Sequence, residues 1–264
     1  MKCVRISLPV RTGGFSQCLR ANQRQFSPRL LRGRPTRALS ARPPIRPPAR
    51  PCARTPARLR ALPLAPTGCA DNTLSCIPTL LAVASARVEG NITYAQGCVT
   101  DGPVNATLIA AAASLAAQAD VAFLALGTDS EVAQEGNDRA DTTLPGAQHA
   151  LAVAVLAACA AANVPVVVLL FNGGTMELDD IAALPQRLAI VEAFFPGESG
   201  GSPIIDQLFD GAAAGGALSP NRWGKLPVTY YGVNFTNAIP IDDMRMVATP
   251  GVFAGRGYRY YDGS

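Results

Sequence analysis

Five carboxylates fall within thirteen residues of one polar stretch: Asp129, Glu131, Glu135, Asp138 and Asp141. Acid side chains at this density can divide proton transfer, one donating and another accepting, if the fold brings them to a single reacting bond. A second candidate is Gly197-Glu198-Ser199-Gly200-Gly201, which has the G-x-S-x-G spacing of a nucleophile elbow. That chemistry needs a histidine after the serine, whereas His149, the one histidine, precedes Ser199 by fifty residues. Asp138, His149 and Ser199 do follow the subtilisin order, but His149 begins an Ala-rich helix and the context of each residue is wrong. A tight strand-to-helix turn explains Gly197, Gly200 and Gly201 better. Phe171-Asn172-Gly173-Gly174-Thr175 contains neither G-x-G-x-x-G nor G-x-x-x-x-G-K-[ST], so phosphate cradling has little support. One histidine and scattered cysteines make none of the usual zinc spacings. Asp179-Asp180 and Asp242-Asp243 read as exposed helix-end or turn charges. Neither metal nor cofactor is expected.

The acidic stretch must be held by its neighbours. VAFLAL (121–126) is short, apolar and followed by Gly127, the pattern of a buried strand. The loop closes at Leu144-Pro145-Gly146, where an Ala-rich helix over 146–162 begins. VPVVVLLF (164–171) is β-branched and too apolar to face water on either side. Further helices are expected at 78–87, 103–119, 176–184 and 202–210, and further strands at 91–98 and 188–195. Strands alternating with helices imply right-handed crossovers and a mostly parallel sheet. An acidic loop at the carboxyl end of such a strand is where open α/β sheets place chemistry. On these grounds alone, solvated loop charges would be the better account of the five carboxylates.

Ordered blocks sharpen the assignment. Residues 127–148 read G-x-D-x-x-x-x-x-E-G-x-D-R and then T-L-P-G-x-Q. FFPGESGGSPIIDQLFDG (194–211), GKLPVTYY (224–231) and a tail running from DMRM to GRGYRYYDG (243–263) follow. Together they resemble the C-terminal domain of glycoside hydrolase family 3, in its plant-type β-xylosidase/α-arabinofuranosidase branch, over about residues 67–264. The resemblance implies a three-layer α/β/α sandwich with a mostly parallel sheet. It implies retaining β-glycosidase chemistry, in which two carboxyl groups roughly 5–5.5 Å apart serve as nucleophile and acid/base. The nucleophile would be an Asp on a preceding barrel domain that this sequence does not contain, and the acid/base a Glu on a sandwich loop reaching over the barrel. Glu135 matches that Glu. Relatives often read E-x-E-G, with Ala133 here in place of the first Glu, which leaves Glu131 as second choice. Asp138 and Arg139 look like a pair supporting the loop. Oligosaccharide substrate and the missing barrel are the implied partners. The alternative is a catalytically silent sandwich that binds carbohydrate or a partner chain.

Charge divides the chain. Residues 1–70 carry fifteen Arg or Lys and no acid, leaving eight basic and nineteen acidic residues in the remainder, so the overall +4 conceals a basic arm before an acidic domain. The arm (1–67) is Arg/Pro-rich and holds eleven of the 22 prolines, a composition too poor in buried apolar surface to order itself. Disorder is expected there, with the arm either a transit peptide or not authentic coding sequence. It lacks the interleaved aromatics of a nucleic-acid binder. It also lacks the apolar core of a secretory signal, and no apolar run reaches the ~18 residues of a membrane span. The domain is expected over 68–264. ALPLAP (61–66) is a short, proline-broken stand-in for the family's opening strand, which predicts a missing strand, an uncovered sheet edge or gap and reduced stability. A Cys69–Cys76 bridge, with Cys98 as competitor, would suit a secreted or cell-wall enzyme. N-x-[ST] sequons at Asn91, Asn105 and Asn234 permit the same history. A genuine transit peptide would point to the plastid instead. Cys159 is expected to be a buried thiol.

Overall fold

A computed structural model of the chain describes residues 2–7, 77–88, 90–184, 188–209, 224–240, 242–251 and 255–260. The elements in order are β1 (Lys2–Ser7), α1 (Leu80–Arg87), β2 (Asn91–Gln96), α2 (Ala106–Ala116), β3 (Val121–Gly127), α3 (Gln148–Ala161), β4 (Val166–Phe171), α4 (Asp179–Ala182), β5 (Leu188–Glu192), α5 (Gly201–Leu208) and α6 (Val233–Ala238). From α1 to α5 each expected helix and strand is present, with ends shifted by up to three residues.

The sheet order is β2-β1-β3-β4-β5. β3, β4 and β5 are parallel, with Leu124 beside Val168 and Val168 beside Ile190. β1 runs antiparallel to both its neighbours, Cys3 pairing with Ala95 on one side and Leu124 on the other. The slot expected to be a gap is therefore filled, and by six residues of the arm expected to be disordered. The unpaired N–H and C=O groups along β2 and β3 offer a template for any extended segment. ALPLAP, Cys69, Cys76 and arm residues 8–67 lie outside the described residues.

Alternation along the strands builds two cores. Ala122, Leu124 and Leu126 of β3 and Val166, Val168 and Leu170 of β4 face α2 and α3, where they meet Ala112, Leu151, Val155 and Leu156. Val121 and Phe123 of β3 and Val167 and Leu169 of β4 face the opposite way, onto Val83 of α1 and Ile205 of α5. This is the three-layer sandwich. Arg87 Nη2 meets Asp206 Oδ1 at 2.6 Å and ties α1 to α5. The second core is sealed by Phe123 and Phe209, with ring centroids 5.8 Å apart.

Helix ends follow from local chemistry. Thr79 Oγ1 accepts the Ala82 N–H at 3.2 Å. Asn105 Oδ1 accepts those of Thr107 and Leu108, each at 3.1 Å. α3 stops at Asn163, whose φ of 58° is the left-handed conformation that closes a helix, and Pro165 follows it. Among the described residues, no helix is long and apolar enough to cross a membrane.

Candidate active site

Because β3, β4 and β5 are parallel, their carboxyl ends share one edge of the sheet. Three segments leave it: the acidic loop after Gly127, the glycine turn after Phe171, and the aromatic turn after Glu192.

The acidic loop is anchored at its base. Gly127 has φ 144°, and a Cβ there would stand 1.9 Å from the Phe171 carbonyl oxygen, so only glycine fits. Gln148 is fully buried at the start of α3. Its Oε1 accepts the Gly127 N–H at 2.8 Å, while its Nε2 donates to the carbonyls of Gly127 at 2.7 Å and Thr100 at 2.6 Å. One side chain thus completes the backbone pairing where the strand ends. Arg139 grips the middle of the loop, donating through Nη2 to the Thr143 carbonyl at 2.7 Å and through Nη1 to the Thr175 carbonyl at 3.0 Å. The Glu177 N–H donates to the Thr142 carbonyl at 2.7 Å.

The carboxylates divide into two sets on this frame. Asp129 Oδ1 accepts the N–H groups of Glu131 at 3.0 Å and Val132 at 3.3 Å. The Thr100 hydroxyl and then those amides hold its carboxyl below the ordinary value. Asp141 Oδ1 accepts both the hydroxyl (2.6 Å) and the N–H (2.8 Å) of Thr143. The same two bonds, with the nearby Arg139 charge, lower its carboxyl too. Asp129 and Asp141 therefore shape the loop.

Glu135 lies at the tip of a tight turn in which Gln134 and Asn137 exchange N–H···O bonds of 3.1 and 3.0 Å. Gly136, with φ 80°, takes the position where a type II turn requires positive φ. Glu135, Glu131 and Asp138 are all exposed. The anticipated Asp138–Arg139 pair does not form: Arg139 binds backbone carbonyls, and the carboxylate acting on its charge is Asp141.

The ends of β4 and β5 hold groups that no motif singled out. Glu192 Oε1 accepts the Phe194 N–H at 2.9 Å, and its Oε2 accepts the Tyr230 hydroxyl. Burial, and then the Glu192 hydrogen bond and charge, raise the Tyr230 phenol well above its ordinary value, while the Asn172 amide pulls the other way. Asn172 is fully buried; its Nδ2 donates to the Gly174 carbonyl at 2.5 Å, and its Oδ1 has no hydrogen-bond partner among the described residues. The signal for these residues was position alone, at the carboxyl ends of parallel strands.

His149 Nε2 lies 2.5 Å from Asp180 Oδ2, and both side chains are more than half exposed. Partial burial works to raise the Asp180 carboxyl, but His149 and the Ile181 N–H outweigh it and leave it lowered. His149 thus pairs with Asp180, not with Asp138 as a subtilisin-type triad requires. At the elbow-like turn a Cβ on Gly200 would stand 2.3 Å from Pro196 Cβ, which bears out the close-packing account of that glycine. Among the described residues, no group of three or more His, Cys, Asp or Glu could hold a metal ion. Asp243 is engaged by Arg245 through Nη2 at 2.6 Å and Nε at 2.9 Å, and those bonds depress its carboxyl to about 2. Asn91, Asn105 and Asn234 are exposed, although Asn105 already serves as the cap of α2.

A family profile described as "Glycosyl hydrolase family 3 C-terminal domain" matches residues 20–256, beginning well inside the Arg/Pro-rich stretch. A probable beta-D-xylosidase 7 of Arabidopsis thaliana is 36% identical over 173 residues, covering 66% of this chain and 21% of the relative. A beta-xylosidase/alpha-L-arabinofuranosidase 1 of Medicago sativa subsp. varia is 33% identical over 174 residues, covering 64% of this chain and 20% of the relative. The chain thus spans about a fifth of the length of the curated relatives it matches. Among solved structures, a GH3 exo-beta-xylosidase in complex with a xylobiose aziridine activity-based probe superposes with a TM-score of 0.51 at 25% identity. That superposition covers 64% of this chain and 20% of the other.

Proposed function

The chain belongs to glycoside hydrolase family 3, through that family's C-terminal domain, and from this premise we propose that it supplies the acid-bearing loop of a retaining β-xylosidase-type enzyme. The observation that carries the reading is the loop itself. A carboxyl group stands at the tip of a turn whose base is fixed by Gln148 and whose middle is gripped by Arg139. Glu135 donates its proton to the glycosidic oxygen as the bond to the anomeric carbon breaks. A nucleophilic carboxylate on the barrel forms the covalent glycosyl-enzyme, and Glu135 then removes a proton from the attacking water. Glu131 is the second candidate for this role. Proton donation near neutral pH requires the carboxyl to be buried under bound sugar. Exposed Glu135 acquires that cover only when substrate and barrel close over the loop. Substrates are xylose- or arabinose-containing oligosaccharides released during polysaccharide breakdown, and the enzyme works outside the cell.

The test is hydrolysis of an aryl β-xyloside. The 264-residue chain alone shows no turnover above background, because only one member of the carboxylate pair is present. Joined to a family barrel domain it restores turnover, which Glu135→Gln abolishes and Glu131→Gln leaves largely intact. Turnover by the isolated chain, or indifference of the joined enzyme to Glu135→Gln, would overturn the reading. The exposure of Glu135 favours one alternative, a catalytically silent sandwich that binds carbohydrate or a partner chain. Failure of every barrel-joined form to turn over substrate would select it.

A further inference from the structure

The loop ahead of α2 carries a motif that the proton-transfer chemistry leaves unused. Asn105-Ala106-Thr107 is an N-x-[ST] sequon, and all three residues are exposed. Asn105 is extended and serves as the N-cap of α2, but only one of its two side-chain polar atoms does that work. Oδ1 accepts the N–H groups of Thr107 and Leu108 at 3.1 Å each, while Nδ2 has no hydrogen-bond partner among the described residues. Oxygen and nitrogen lie on opposite sides of the amide carbon, so the cap turns Nδ2 away from the helix end. Val104, directly before Asn105, is 64% exposed despite its apolar side chain.

The other two sequons are built differently. In Asn91-Ile92-Thr93, at the start of β2, Ile92 and Thr93 are half-buried and the Thr93 hydroxyl oxygen is buried. In Asn234-Phe235-Thr236, inside α6, Phe235 is stacked on Tyr231 with ring centroids 3.9 Å apart. Folding draws part of each of these inward and leaves the sequon at Asn105 whole.

We propose that Asn105 is an N-glycosylation site whose modified amide still caps α2. The donor is a polyprenyl-pyrophosphate-linked oligosaccharide and the acceptor atom is Nδ2. A bond forms between Nδ2 and the anomeric carbon of the first sugar, the bond from that carbon to the pyrophosphate oxygen breaks, and one Nδ2 proton is released. Oδ1 remains a carbonyl oxygen in the product, so both cap hydrogen bonds persist. The attached sugar lies beside Val104 and covers apolar surface otherwise open to water. The proposal rests on the extracellular reading, because the donor is met on the export route.

The full chain, expressed behind a cleavable secretory leader in a eukaryotic host and mapped by peptide mass spectrometry, tests it. Asn105 should be modified in most molecules, and more fully than Asn91 or Asn234. Thr107→Ala removes the glycan while leaving the Asn105 cap, and Asn105→Ala removes both. The Leu108 amide should therefore exchange its hydrogen as slowly in the glycosylated chain as in Thr107→Ala, and about fivefold faster in Asn105→Ala, the loss expected for one N-cap. An unmodified Asn105, or one modified less than Asn91 or Asn234, would overturn the proposal. So would a glycosylated chain whose Leu108 amide exchanges as fast as in Asn105→Ala. The map of the unaltered chain, whether secreted or retained in the host's endoplasmic reticulum, decides the first point even if a variant does not fold. An error in the extracellular reading would appear instead as native protein in the plastid, with Asn105 still modified on the exported chain.

Discussion

The loop after β3 and the turns after β4 and β5 leave the same edge of the sheet yet treat their polar groups in opposite ways. In the loop, the backbone is fixed by buried or partly buried groups (Gln148, Arg139, Asp129) while Glu135 and Asp138 face water. In the two turns there is no acid-rich motif, and Asn172, Glu192 and Tyr230 are drawn inward and bonded to one another or to backbone. The contrast teaches that residues recognisable by type and spacing need not be those the domain itself organises. Glu135 stands exposed at its turn tip, whereas Tyr230 is bonded to Glu192 and Asn172 to the Gly174 carbonyl.

Breaking the loop's foundation should have the largest effect. Gln148→Ala removes three hydrogen bonds from a fully buried site and leaves the Gly127 N–H and the carbonyls of Gly127 and Thr100 to find other partners. At about 1 kcal/mol or more for each lost bond, a destabilisation of roughly 3–5 kcal/mol is expected in denaturant unfolding. A loss below about 1 kcal/mol would show that the loop base is not fixed as described.

A smaller effect separates shaping carboxylates from free ones. The folded state lowers Asp129 and Asp141, so their contribution is fully present above the unfolded carboxylate value and fades as pH falls through the lower folded value. Stability should therefore decline on the acid side of about pH 4, and Asp129→Asn should flatten that decline. A pH profile identical to that of the unaltered chain would remove Asp129 from the shaping set.

The smallest effect should come from the residue of greatest chemical interest. Glu135→Gln alters an exposed side chain at a turn tip and should change stability by less than about 0.5 kcal/mol. A marked loss in thermal unfolding would mean that Glu135 supports the loop instead of standing free on it.

Much of this was legible beforehand, for identifiable reasons. The unbroken apolar runs at 121–126 and 164–171 fixed two strands, and the helices between them followed from spacing. Glu135 could be singled out because ordered blocks surround it. Tertiary partnerships were not legible. Arg139 stands beside Asp138 in sequence, but its fork suits the carbonyls of Thr143 and Thr175, thirty-six residues from itself in the latter case. Strand β1 was missed because six residues in an arm dominated by Arg and Pro carry too weak a local signal, and only the open edges of β2 and β3 give them a place. Asn172 and Tyr230 are fifty-eight residues apart and carry no joint pattern in sequence.

Cys159 sits on the inner face of α3 with no exposed surface, and burial pushes its thiol up to about 11. Near neutral pH only about one molecule in ten thousand would hold the reactive thiolate, and that one would be shielded from oxidants by Leu156 and the sheet. Such a sulfur is shut off from thiol–disulfide exchange, so any crosslink the chain forms is left to cysteines outside this core.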